Sequence, residues 1–90
     1  MFIHLGNDII VKENEIVGIF DIESTTISYA TKNFLSVAEK NGETKTVSYE
    51  MPKSFVLCKK KKSKEKMVYI TPISSSTLLK RSRITNKFKG

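Results

Sequence analysis

Tryptophan is absent from this chain of 90 residues, and cysteine and histidine occur once each. The lone Cys58 excludes an intramolecular disulfide and suits a reducing compartment; within an apolar segment it reads as an inert core thiol. The lone His4 has no second histidine, no cysteine pair and no acid at ligand spacing beside it. The sequence therefore predicts no metal site, no cofactor and no enzymatic activity, and His4 reads as a structural or subunit-contact residue. Without tryptophan, and with the other aromatics mostly at core positions, no stacking platform for single-stranded nucleic acid is evident. Gly6 and Gly18 belong to no glycine-rich turn that follows a strand and opens a helix, so they are turn and packing residues and not a phosphate cradle. Long apolar runs are missing too. Nothing approaches the ~18 apolar residues of a membrane span, and MFIHLGNDII has no basic region ahead of its apolar residues as a signal peptide would. The expected location is the cytoplasm, with no membrane contact.

The last scarcity is of acids in the second half. Residues 51–90 carry twelve Lys and Arg against Glu65 alone, a balance of +11, whereas residues 1–50 carry four lysines against eight acids, a balance of −4. Such a division offers one strongly positive surface to a polyanion while the rest stays mildly acidic. A chain this short makes one core with a thin margin of stability, so assembly with copies of itself is expected on size alone. We assign residues 1–83 to a single domain and 84–90 to a basic, flexible tail.

Phe2 to Leu5 reads as a strand, Gly6-Asn7-Asp8 as a turn, and Ile9 to Val11 as the returning strand. The continuous apolar run Ile16 to Ile22 predicts a central strand covered on both faces. Ser24, Thr25 and Thr26 are candidate caps for an amphipathic helix of about four turns, its stripe drawn from Ile27, Ala30, Phe34, Leu35, Val37 and Ala38 and its end marked by Asn41-Gly42. After an alternating stretch from Thr46 to Tyr49, Ser54–Cys58 and Lys66–Thr71 predict two strands of a hairpin. The like-charged run between them belongs at an exposed tip. Ser74 to Thr77 supply capping hydroxyls for a short helix with Leu78, Leu79, Lys80 and Arg81; no base accompanies them, so a nucleophile is not indicated. The sum is an α+β domain: a small, mostly antiparallel sheet, one amphipathic helix and a short C-terminal helix.

Two basic segments are candidates for DNA contact. Lys59, Lys60, Lys61, Lys62, Lys64 and Lys66 could sit beside phosphates and release counterions, giving salt-sensitive affinity without sequence preference; the same lysines would also serve as a solubilising tip that discourages edge pairing. Lys80, Arg81 and Arg83, with Lys87 and Lys89 behind them, add arginines able to fork to a phosphate or a guanine edge, or else simply complement a helix dipole. Lys53, between a proline and a strand, completes the set, although a plain surface lysine is the better reading of it.

MFIHLG at the start, EIVGIFDIE, PKSF and the closing YITPISSSTLLKR occur in an order that resembles the RemB branch of the RemA/RemB family of small bacterial regulators, from Met1 to about Arg81. The resemblance implies control of extracellular-matrix (biofilm) genes and a subunit fold similar to the LytTR type. From the RemA branch it implies a transcription regulator that binds double-stranded DNA and whose subunits close into rings. This chain departs from RemA where neighbouring arginines precede the strand at Phe55: here the stretch is Glu50-Met51-Pro52-Lys53, which lacks the residues on which RemA-type DNA contact depends. Two functions follow as expectations. One is an oligomeric DNA-binding regulator holding phosphates with its other cations; the other is an oligomeric interaction protein that acts through another regulator without touching DNA.

Overall fold

The computed structural model describes residues 1–22, 28–60 and 62–82. The chain opens with β1 (Phe2–Gly6) and β2 (Ile9–Lys12), antiparallel partners joined through Asn7 and Asp8. Both turn residues have positive φ, 45° and 65°, the backbone of a type I′ turn, whose twist matches the strands it joins. Gly6 precedes them at φ 106°, a backbone conformation that favours glycine, and a Cβ there would come into contact with the Val47 side chain at 3.4 Å. The outer face of this hairpin carries Phe2, His4, Ile10 and Lys12, while Ile3, Leu5 and Val11 are buried on the inner one.

A short 3-10 turn over Glu13–Glu15 leads into β3 (Ile16–Asp21). With β5 (Ser54–Lys59), β6 (Lys66–Thr71) and β4 (Thr44–Thr46) it builds a second sheet in the order β3-β5-β6-β4. Among the described residues only the β4–β6 pair is parallel. The architecture is α+β with mostly antiparallel sheets, as the sequence predicts. The expectation of a central, doubly covered strand at Ile16 to Ile22 is corrected: β3 is an edge strand, with Val17 and Phe20 exposed. β3 has β5 on one side alone in the sheet order, and a bulge between Ile16 and Gly18 sets which of its residues face the core. The bulge inserts one residue, so Ile16 and Ile19 both reach the same core, Val17 is left outside it, and the unbroken apolar run does not mean burial on two faces. Phe20 then lies over Gly18, where a Cβ would sit 2.7 Å from its ring, and stacks on Phe55 at 4.9 Å between centroids.

Helix α1 (Tyr29–Lys40) is capped by Ser28, whose Oγ accepts from the Thr31 N–H at 3.1 Å. The expected caps Ser24, Thr25 and Thr26, and Ile27 of the expected stripe, lie outside the described residues. Ala30 and Val37 are exposed, so the working stripe narrows to Phe34, Leu35 and Ala38. Gly42, at φ 70°, takes the left-handed position after the helix, and the chain passes at once into β4. That strand lies two residues before the expected alternating stretch; Ser48 and Tyr49 are loop.

The second sheet is covered on both sides. Phe55, Val68 and Ala38, with Leu57, Ile70 and Ile22, form the core under α1. On the other side Val56, Cys58, Ile16 and Ile19 pack with Ile3, Leu5 and Val11 of the β1–β2 hairpin and with Leu78 of α2 (Ser75–Arg81). Ser74 caps α2 as expected, its Oγ accepting from the Thr77 N–H at 3.3 Å.

Candidate nucleic-acid interface

The lysine-rich segment lies at the far end of the β5–β6 ladder. Lys59 and Lys66 form its last rung, directly opposite one another. Beyond it the Lys60 N–H donates to the Glu65 carbonyl at 3.3 Å, the Ser63 N–H to the Lys60 carbonyl at 3.4 Å, and the Glu65 N–H to Ser63 Oγ at 3.1 Å. The tip is therefore a hydrogen-bonded turn, with Lys61 outside the described residues.

Strand alternation divides its cations between two faces. Lys59 follows Phe55 and Leu57 onto the α1 side, as Lys66 follows Val68 and Ile70. The Lys66 ammonium stands 5.6 Å from the centre of the Phe34 ring, a cation–π contact worth about 0.5–1 kcal/mol at an exposed site. Lys60 and Lys62 instead line an open cleft of about 930 Å³ with Phe2, Ile10, Lys12 and Tyr69. Lys12 is a cation outside the two basic segments that the sequence marks for DNA contact. Its signal was the register of the first hairpin, which sets it opposite Phe2 and so beside the lysine tip.

Lys80 and Arg81 occupy the last turn of α2, and Arg81 Nη1 donates to the His4 carbonyl at 2.9 Å. His4 thus contributes its backbone to holding the arginine on β1, in keeping with a structural role. Arg83, Lys87 and Lys89 lie outside the described residues. The two basic segments consequently border the same β1–β2 layer: the tip reaches it at Phe2 and Lys12, α2 at His4. Lys53 is elsewhere. Its N–H donates to the Thr71 carbonyl at 3.0 Å and its carbonyl accepts from the Ile22 N–H at 2.9 Å, which fixes it at the opposite end of the sheet from Lys59 and Lys66.

Among the described residues no group of three or more His, Cys, Asp or Glu side chains could hold a metal, and no helix is long and apolar enough to cross a membrane. Cys58 is buried in the core behind the cleft, and burial, with Glu15 nearby, pushes its thiol up to about 12 from 9.0. Tyr69 is raised as well, by burial first and then by Cys58 and Glu15. In the folded state both groups hold their protons to higher pH than in the unfolded chain, so folding stability is complete below the unfolded value and falls as pH rises. For Cys58 the loss is expected between about pH 9 and pH 12, read as a falling Tm. A Cys58→Ala chain should show a shallower decline over that window; an unchanged slope would exclude the thiol as its source.

No protein-family model matches the chain. It is 37% identical over 83 residues to extracellular matrix regulatory protein B of Bacillus subtilis (strain 168), a match covering 92% of this chain and 91% of that protein. A match of that length within 90 residues spans at least residues 8–83, from β2 through the bulged edge strand to α2. At that identity and coverage, the chain belongs to the family of extracellular matrix regulatory protein B, the RemB branch that its four sequence motifs resemble.

Proposed function

We propose that the chain is a non-enzymatic, cytoplasmic regulator of extracellular-matrix genes that assembles with copies of itself and holds duplex DNA through backbone phosphates. The observation that carries this reading is the last rung of the β5–β6 ladder. Lys59 and Lys66 face each other there, and among the described residues no acid forms an ion pair with them or with Lys60, Lys62 or Lys64. Like charges directly opposite destabilise a sheet, so the arrangement costs the fold something and needs a reason outside it. A polyanion supplies one, because each phosphate met by an ammonium releases condensed counterions. Repeating a modest patch around an assembly turns weak single contacts into tight binding through effective concentration. The name of the Bacillus subtilis relative supports regulation of the matrix as the biological setting.

The test is the salt dependence of binding to long duplex fragments. Replacing Lys59, Lys64 and Lys66 together with glutamine is expected to flatten the plot of log K against log salt by about 0.9 for each phosphate no longer neutralised, hence by roughly 2 to 3 overall. The weakening should be similar on every DNA sequence, since phosphate contacts carry no base information. A slope equal to that of the unaltered chain, or no binding by the unaltered chain at low salt, overturns the DNA reading.

A second reading has its own observation. The Glu50-Met51-Pro52-Lys53 loop, where RemA-type chains carry arginines, presents an acid and a large apolar side chain to solvent. An interaction protein that assembles but acts through another regulator fits that loop, and in that case the glutamine variant would keep its cellular function.

A further inference from the structure

The polar side chains around the cleft under the lysine tip are engaged by nothing inside the molecule. Lys12, Asn14, Glu15, Lys60, Lys62 and Tyr69 line it, and among the described residues none of these side chains makes a hydrogen bond or an ion pair. Glu15 is the acid of the set, half-buried at the end of the 3-10 turn. Its charge helps to hold the protons of Cys58 and Tyr69, which places it at the rear of the cleft and keeps the Tyr69 hydroxyl a donor. Three ammonium groups and one carboxylate thus border a single space without closing on one another. Phe2 and Ile10 add an apolar wall, 65% and 57% exposed, with Phe2 directly opposite Lys12 across the first hairpin.

An occupant of this cleft needs negative charge for the lysines, an apolar face for Phe2 and Ile10, and hydrogen-bond donors for Glu15. Inorganic phosphate meets the first need alone. A fatty acid meets the first two, but sets bare methylenes or its own carboxylate against Glu15. A nucleotide meets all three, because a base has a flat apolar face, an edge of donors and acceptors, and phosphates on a tether. The choice of base follows from Glu15. Guanine carries N1–H and N2–H side by side, two donors that one carboxylate accepts together, whereas adenine sets the N1 acceptor beside its amine and would turn a lone pair towards that carboxylate. At about 930 Å³ the cleft is ample for such a ligand, near the top of the range of about 300–1,000 Å³ for small-molecule sites.

We propose that this cleft binds a guanine nucleotide, with the base against Phe2 and Ile10, its N1–H and N2–H on the Glu15 carboxylate, and the phosphates among Lys12, Lys60 and Lys62. Asn14, next to Glu15 in the turn, supplies an amide donor for the base O6. The site is separate from the phosphate contact proposed above, since Lys59 and Lys66 lie on the hairpin's other face. Guanine-nucleotide binding neither needs nor excludes DNA on that face.

Equilibrium dialysis of the full chain against GDP, ADP and pyrophosphate at about 0.15 M salt tests the site. GDP is expected to bind roughly tenfold or more tightly than ADP, the discrimination of one good bidentate pair, and pyrophosphate more weakly than either. Glu15→Gln should erase the preference for GDP over ADP, whereas Lys60→Gln with Lys62→Gln should weaken both roughly tenfold and keep the preference. Lys59→Gln with Lys66→Gln should change neither. Circular dichroism and melting verify the fold of each variant; Lys60 and Lys62 are exposed on the tip, so that pair tests the site even where Glu15→Gln unfolds. No uptake of GDP, equal affinity for the three probes, a preference that survives Glu15→Gln, or equal losses in the two lysine pairs overturns the site. The last of these would leave only diffuse attraction of phosphate to a basic tip, and none of them bears on the DNA reading.

Discussion

Leu78→Ala is expected to cost about 3 kcal/mol of folding stability, within the range of about 2 to 5 for removing a fully buried leucine. Leu78 has no solvent exposure and lies among Ile3, Leu5, Val56 and Cys58, where the hairpin layer, the sheet and α2 meet. The substitution removes the transfer energy of three carbons and leaves a cavity bordered by three elements, none of which can close in without disturbing the other two. A domain of this size loses roughly 4–8 °C of Tm per kcal/mol, so a fall of roughly 12–24 °C should appear in a thermal melt. Leu78→Met, which keeps the volume, should cost less than about 1.5 kcal/mol. Because α2 is only seven residues long and Leu78 is its buried residue, the alanine should also free Arg81 from the His4 carbonyl. Equal losses in the two variants would mean that the site is not packed as described.

Thr71→Val should rank beside it, at about 2–4 kcal/mol, although the two side chains have nearly the same shape. The Thr71 hydroxyl is fully buried, donates to the Leu5 carbonyl at 2.8 Å and accepts from the Ile73 N–H at 3.1 Å. It is thus the polar fastening between β6 and β1. Valine takes the Thr71 hydroxyl away from both backbone groups, and a buried group left unsatisfied costs about 1–3 kcal/mol. Thr71→Ser keeps the hydroxyl and gives up only a methyl group, so it should lose about 1 kcal/mol. Chemical denaturation of the pair separates the two contributions: if serine proves as costly as valine, packing and not hydrogen bonding holds this seam.

The parts of this fold that were legible in the sequence are those whose signals are local. The bounds of β6, the cap at Ser74, the stop at Asn41-Gly42 and the lysine tip all follow from turn and capping chemistry within a few residues. The edge position of β3 was not legible, because strand order is settled by long-range pairing, and the bulge beside Val17 depends on register against β5; neither leaves a mark on a run of branched residues. Nor was the parallel strand β4: three residues of Thr and Lys have no alternation to detect, and they are held through their pairing with β6. The site divides in the same way. The basic segments were visible as composition, but their meeting along the β1–β2 layer, the addition of Lys12 and the separation of Lys53 depend on which strands lie side by side.

The strand order β3-β5-β6-β4 has one more consequence, in time and not in space. Strands β3 and β4 are consecutive in the chain, yet they occupy opposite edges of the sheet, and among the described residues each pairs only with a member of the hairpin that is made after them. Closing either long-range pair pays loop entropy before any contact repays it, whereas the β5–β6 hairpin closes locally on the microsecond scale. That hairpin is therefore the template on which both edges wait, and its turn is the most self-repelling stretch of the molecule. The lysines that prepare this protein to meet a polyanion thus stand at the step where its own sheet begins.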